Sequence, residues 1–104
     1  MRRIFITELH DALTNASNPE LKALTAARSS REKERQFRFC MPGTSIKGDI
    51  KGDTVPLHRV QEDFGKGLIT VWDLDKESYR RIAITSTAFF EIDGDRVFVD
   101  HRVI

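Results

Sequence analysis

The sequence predicts a mainly β domain with helices only at its N-terminus, in which five to six short antiparallel strands close into a small barrel. Apolar residues recur at helical spacing only before residue 36, and they alternate with polar residues after it. Tight-turn signals separate the later apolar runs, and barrel closure would remove their exposed edges. A chain of 104 residues is one domain that needs no metal or disulfide to fold. We divide it into a helical segment, residues 1–35, and a barrel, residues 36–104.

Two helix start signals lie in the N-terminal segment. Thr7 is a predicted N-cap, and a first helix is expected over about residues 7–15. Ser17 is a second helix start signal, because Pro19 follows in the first turn and Glu20 occupies the capping-box position. This second helix is expected to fade within residues 28–35, which are polar on every side. The supporting apolar positions are Leu9, Ala12, Leu13 and Ala16 in the first helix, and Leu21, Leu24 and Ala27 or Arg28 in the second.

The first predicted strand covers residues 37–41, where Phe37, Phe39 and Met41 alternate with Arg38 and Cys40. Pro42-Gly43 then forms the central pair of a predicted type II turn.

Residues 46–53 are a tandem of the tetrad Ile-Lys-Gly-Asp. We interpret its glycines as bends or bulges in a curved strand, since two carboxylates four residues apart are too few for the alternative, a cation-binding loop. Residues 54–66 are predicted to be a loop, anchored locally by Val55, Leu57, Val60 and Phe64.

Two β-hairpins complete the prediction. The first joins Leu68–Leu74 to Tyr79–Thr85 through a turn at residues 75–78. The second turns at Asp93-Gly94, between two alternating apolar runs, and this dipeptide is the strongest short-range hairpin signal.

The first hairpin also carries a family resemblance. Its run from Ile69 to Ile84, with Trp72-Asp73 before the turn and Tyr79-Arg80 after it, resembles the signature of short SH3-like β-barrel proteins of Bacteroidetes, their phages and mobile elements. The segment Phe37–Thr44 is similar to the strand and Gly-Thr turn that open the same barrel, and more distantly the hairpin is similar to the WYL module of bacterial transcription regulators. The resemblance implies an SH3-like barrel over residues 37–92, in a group of proteins with no settled biochemical role. The sequence departs from the pattern at Pro42 and in the long 51–67 connection.

Charge and cysteine content bound the environment of the chain. Residues 1–52 hold ten Lys or Arg against six Asp or Glu, whereas residues 53–104 hold seven against ten. This asymmetry favours a polyanion partner for the first half only weakly, because mixed-charge surfaces are common. The single Cys40 excludes an internal disulfide and favours a reducing compartment. The apolar run Ile4-Phe5-Ile6 is too short for a signal-peptide core or a membrane span, so a cytoplasmic protein without membrane partners is expected.

No catalytic, metal or cofactor site is predicted. His10, His58 and His101 have no partner at ligand spacing, and Cys40 has no identifiable base. The acidic residues cluster at turns, where carboxylates usually cap their own backbone.

The preferred functional hypothesis is a non-enzymatic, regulatory binding module that contacts nucleic acid. Arginines and lysines would contact phosphates, and an exposed Trp72 or Tyr79 would stack on bases. In the competing interpretation these aromatics belong to the core, and the arginine stems cover them. The predicted nucleic-acid-binding residues are Arg31, Lys33, Arg35, Arg38, Trp72, Tyr79, Arg80 and Arg81.

The alternative is a protein-interaction module, either a phage or plasmid factor that binds a host protein or a barrel that forms homo-oligomers through its C-terminal hairpin. That hairpin carries more apolar side chains than a small core accommodates. They are Phe89, Phe90, Phe98, Val103 and Ile104.

Overall fold

The computed structural model describes residues 2–26 and 34–100, and in this part the chain is mainly β, as predicted. The strands are β1 (Arg2–Phe5), β2 (Leu21–Thr25), β3 (Arg35–Cys40), β4 (Thr44–Ile46), β5 (Asp49–Lys51), β6 (Leu68–Asp73), β7 (Ser78–Ala83), β8 (Thr87–Ile92) and β9 (Asp95–Asp100). The helices are α1 (Ile6–Thr14) and α2 (Leu57–Gly65), and a 3₁₀ turn covers Ile84–Ser86. No helix in the described ranges is long and apolar enough to cross a membrane.

Seven strands form one open sheet in the order β1-β9-β8-β2-β3-β6-β7, and β4 pairs with β5 separately. The expected closed barrel of five or six antiparallel strands is therefore not what the described residues form, and the pair β1-β9 is parallel. Strand β8 returns to pair with β2, so five of the strands lie side by side in the order β8-β2-β3-β6-β7. The 3₁₀ turn at Ile84–Ser86 joins β7 to β8, which are at opposite ends of this five-strand stretch and are not paired in the described residues.

The core lies on one face of this curved sheet. Phe39 and Phe90 pack edge to face there, with ring centroids 6.4 Å apart. Helix α1 covers it with Leu9 and Leu13, both buried. Helix α1 begins at Ile6, because Phe5 rather than the predicted Thr7 is the N-cap. The Glu8 carboxylate accepts a hydrogen bond from the Phe5 N–H at 3.2 Å, which satisfies one donor near the helix start.

The predicted second helix is wrong over its described part, because Leu21–Thr25 is strand β2. Asn18 Oδ1 accepts a hydrogen bond from the Glu20 N–H at 3.0 Å, and this local turn uses the donors that a helix would have directed along its axis. Strand β2 then pairs with β3 on one side and β8 on the other. This long-range pairing outweighs the local helix signals. Of the rest of that predicted helical segment, residues 27–33 fall outside the described residues, and Arg35 is already the first residue of β3.

The connection between β3 and β6 also differs from prediction. The first Ile-Lys-Gly-Asp copy forms a tight hairpin rather than a curved strand, since Lys47 and Gly48 both have positive φ, at 53° and 85°. The predicted loop at 54–66 contains helix α2, whose Leu57, Val60 and Phe64 recur at helical spacing.

Both later hairpins are confirmed. Strands β6 and β7 pair from Leu68 opposite Ala83 to Asp73 opposite Ser78, and β8 and β9 pair across Asp93-Gly94.

Candidate anion-binding groove

One surface groove of about 630 Å³ brings together residues from α2, β3, β6 and β7, and we call it the arginine groove. Four of its side chains are arginines, so its rim is strongly cationic. It is lined by Arg35, Phe37, Asp53, Thr54, Val55, Pro56, Arg59, Thr70, Tyr79, Arg80 and Arg81.

Arg80 and Arg81 reach the same groove although neighbouring strand residues project to opposite faces. This is possible because β7 is an edge strand of the sheet. From an edge, long side chains on either face extend around the open side of the strand. Both arginines remain about half exposed, with side chains 45% and 54% accessible.

A buried carboxylate lies beside each of these arginines. Asp73 Oδ2 is 3.8 Å from Arg80 Nε, and Asp63 Oδ2 is 3.6 Å from Arg81 Nε. Asp63 and Asp73 are the buried charged residues of the described part of the chain. Their other interactions fix them, because Asp63 accepts the Thr70 hydroxyl at 2.8 Å and Asp73 accepts the backbone N–H groups of the following turn. Both approaches are longer than a hydrogen bond, so they are ion pairs, and both half-exposed guanidiniums stay accessible to an anion from solvent.

Arg35 and Arg59 complete the cationic set from other elements. Arg35 is the first residue of β3, and Arg59 lies in the first turn of α2. Within residues 2–26 and 34–100, no carboxylate lies within ion-pair distance of either one. In the described residues these two arginines therefore have no direct ion pair, and the carboxylate-bearing Asp53 also lines the groove.

Tyr79 and Trp72 pair across the β6-β7 hairpin and differ in exposure. Their rings pack edge to face with centroids 5.2 Å apart. Tyr79 is 41% exposed and donates its hydroxyl to the Asp53 carbonyl, whereas Trp72 is partly buried under Gly52. Trp72 Nε1 is fully buried, and it has no hydrogen-bond partner among the described residues. Of these two aromatics, Tyr79 is the one that lines the groove, and Trp72 packs against it.

The structure places the predicted binding residues in different surroundings. Arg35, Tyr79, Arg80 and Arg81 line the arginine groove. Arg38 does not, because its guanidinium lies 3.8 Å from Glu20 and 3.3 Å from Asp75. Arg31 and Lys33 fall outside the described residues.

Sequence reasoning missed Arg59 and Asp63. Both lie on α2, which was predicted to be a loop, so nothing indicated that they share a surface with β7. The helical spacing of Leu57, Val60 and Phe64 was the available signal.

The site contains no identifiable nucleophile. Burial raises the pKa of the Cys40 thiol to about 11, against a smaller lowering by Lys51, so the thiol stays protonated near neutral pH. In the described ranges no cluster of three or more His, Cys, Asp or Glu side chains is arranged to hold a metal ion. What the groove offers chemically is electrostatic and hydrogen-bonding recognition of an anion by guanidinium groups, next to an exposed aromatic ring.

No family model, curated protein or solved structure matches this chain.

Proposed function

We propose that this domain is a non-enzymatic, regulatory nucleic-acid-binding module built on an SH3-like fold. In this proposal the arginine groove holds consecutive phosphates of a single strand, and Tyr79 stacks on a base beside them. The observation that carries the proposal is the convergence of Arg35, Arg59, Arg80 and Arg81 on one groove with an exposed tyrosine.

The order of the strands supports the SH3-like part of the proposal. Among strands β2, β3, β6, β7 and β8, the last strand pairs with the first, and a 3₁₀ turn joins the final two. Helix α2 and the β4-β5 hairpin are an insertion between the second and third of these strands. The insertion contributes to the candidate site through Arg59 of α2 and the segment at residues 53–56 that precedes the helix.

Guanidinium geometry supports phosphate as the anion. Arginine presents a planar set of donors that matches phosphate oxygens, and a neighbouring carboxylate that contacts Nε fixes the plane of the group. An aromatic ring beside such cations is the usual combination in grooves that bind single strands with little sequence preference.

Binding of single- and double-stranded oligonucleotides, followed by fluorescence anisotropy over a range of salt concentrations, tests the proposal. For a single strand the logarithm of the association constant should fall linearly with the logarithm of salt concentration, with a slope of roughly −0.7 for each phosphate neutralised. Arg59→Gln should weaken binding and reduce the magnitude of that slope by about 0.7.

Arg96→Gln is the matched control. Arg96 is also exposed, but it stacks on Phe89, with its guanidinium carbon 4.5 Å from the ring centroid, and it lies outside the arginine groove. The proposal fails if no salt-sensitive binding appears at low ionic strength, or if Arg96→Gln and Arg59→Gln weaken binding equally.

A protein-interaction module remains the second candidate, and Phe98 on β9 is the observation that favours it. Phe98 is 36% exposed, whereas Phe90 of the same hairpin is buried and Phe89 is covered by Arg96. Val103 and Ile104 lie outside the described residues. A concentration-dependent mass in light scattering that Phe98→Ser abolishes would favour self-association, and a constant monomeric mass would count against it.

A further inference from the structure

A second groove adjoins the arginine groove and differs from it in chemistry. It has a volume of about 400 Å³ and lies where α1, α2 and β6 meet, and we call it the apolar groove. Its walls are mainly hydrophobic, with Thr54, Thr70 and His10 among its few polar members. The hydrophobic side chains that matter here are Met41, Val55, Leu57, Val60, Phe64 and Leu68.

The two grooves adjoin. Thr54, Val55, Pro56 and Thr70 line both of them. Helix α2 also contributes to both, with Leu57 and Val60 in the apolar groove and Arg59 between them in the arginine groove. The apolar groove and the arginine groove therefore share a wall.

The size and lining of the apolar groove suit a flat heterocycle. Ligand sites of about 300–1,000 Å³ are typically apolar with a few polar groups that fix orientation, and this groove lies at the small end. Phe64 and His10 form an aromatic corner, with ring centroids 6.0 Å apart at an interplanar angle of 77°. Unstacked bases are recognised by aromatic side chains in this way, with hydroxyl and imidazole groups available to the base edge.

We propose that the apolar groove receives the base of a nucleotide whose phosphate contacts Arg59 and Arg81. The preferred source of this nucleotide is a unit of a single strand, and in that respect the inference rests on the proposed function. A free nucleotide has the same chemistry and would occupy the same two grooves, so the experiment must separate the two sources.

Methyl NMR of the full chain, titrated with a short deoxyadenosine strand, an abasic strand of the same length, adenosine monophosphate and inorganic phosphate, tests the proposal. A base in the groove should shift the Leu57 and Val60 methyl signals upfield through its ring current, while the abasic strand and phosphate should leave them in place. The strand with bases should also bind about tenfold more tightly than the abasic strand, since one stacked base is worth roughly that factor or more.

Leu57→Ser and Ile50→Ser form a matched pair of variants. Both residues are highly exposed, 70% and 74%, so neither change should prevent folding, but only Leu57 lines the apolar groove. Leu57→Ser should reduce the preference for the strand with bases several-fold, and Ile50→Ser should leave it unchanged.

The outcomes separate this inference from the proposed function. If both strands bind equally, without methyl shifts but with salt-sensitive affinity, the base site is wrong and the proposed function survives. If no strand binds but adenosine monophosphate shifts the methyls, the base site is right, its source is a free nucleotide, and the proposed function fails. If neither adenosine monophosphate nor the strand with bases shifts the methyls, the apolar groove does not receive a base and the inference is overturned.

Discussion

Asp63 of α2 and Arg81 of β7 meet at the arginine groove, with Oδ2 of the aspartate 3.6 Å from Nε of the arginine. The same carboxylate oxygen accepts the Thr70 hydroxyl at 2.8 Å. One buried carboxylate therefore joins helix α2 to β6 and orients an arginine on β7. The fold of the inserted helix and the geometry of the candidate site depend on each other through this contact.

Thr70→Val should destabilise the domain by about 2 kcal/mol, because it removes a hydrogen bond to a buried charged group and leaves the carboxylate less satisfied. The free energy of unfolding from urea denaturation measures this effect. Thr85→Val, at an exposed threonine, is the control and should change stability by less than about 0.5 kcal/mol. Equal losses in the two variants would show that the Asp63 contact does not hold α2 in place.

Gly52→Ala should cost about 3 kcal/mol. Gly52 has a φ of 70°, and a Cβ placed there would lie 2.8 Å from Cε3 of Trp72, so backbone strain and overpacking add. Gly48→Ala separates the two effects, since Gly48 has a φ of 85° but open space around it, and should cost only about 1 kcal/mol. Urea denaturation gives both values, and similar losses would mean that contact with Trp72 contributes nothing.

Tyr79→Phe should loosen the segment over Trp72. It removes the hydroxyl that donates to the Asp53 carbonyl and should cost about 1 kcal/mol. Trp72 is the single tryptophan of the chain, so its fluorescence reports the change directly, as a red shift and stronger acrylamide quenching. Thr87→Val is the control, because it also removes a hydroxyl bond, to the Ala83 carbonyl, but away from Trp72. An unchanged Trp72 spectrum in Tyr79→Phe would contradict this role of the tyrosine.

Local turn chemistry accounts for the parts of the fold that the sequence predicted well. Asp93 and Gly94 both adopt positive φ, 53° and 84°, as their dipeptide requires between paired strands. The failed second helix shows the opposite case. Its start signal at Ser17 is genuine helix chemistry, but Ser17 and Asn18 instead bind Asp93, which lies far away in the sequence. The residues around Ser17 contain no sequence signal for a hydrogen-bond partner this far away.

The candidate site was predictable only in part, for the same reason. Arg80 and Arg81 could be predicted as site residues, because they follow Tyr79 in a hairpin that the sequence indicates and the structure contains. Whether Arg35 or Arg38 would join them in the groove depended on acidic residues far away in the sequence. Two of these, Glu20 and Asp75, form ion pairs with Arg38. Arg59 required recognition of α2, whose mean composition is polar although its apolar residues recur at helical spacing.

Asp93 should make the stability of the N-terminal connection depend on pH. Hydrogen bonds from the Asn18 backbone and the Ser17 hydroxyl lower the pKa of Asp93 below its ordinary value of 3.8. Because the lowered pKa belongs to the folded state, the contribution is present above pH 3.8 and is lost as the pH falls through the lowered value. Asp93→Asn should therefore reduce stability at neutral pH and have little effect in strong acid, as measured by urea denaturation across pH.

Asp95→Asn is the matched control for this prediction. Asp95 is exposed on the same hairpin, but the Ser17 hydroxyl and the backbone N–H groups of Ser17 and Asn18 donate to Asp93 instead. Its replacement should leave the pH profile unchanged. A stability gap for Asp93→Asn that stays constant down to strong acid would contradict the assignment.

Cys40 should resist alkylation in the native state. Its side chain is fully buried, and burial raises the pKa of its thiol to about 11. Because the thiolate is the reactive form, little of it exists at pH 8, and the reagent has no access to it. Iodoacetamide labelling followed by mass spectrometry should be slow in buffer and fast in urea, and in Gly52→Ala the logarithm of its native rate should rise in proportion to the lost stability. Rapid labelling of the native wild-type chain would show that the thiol becomes accessible without global unfolding and would contradict this prediction.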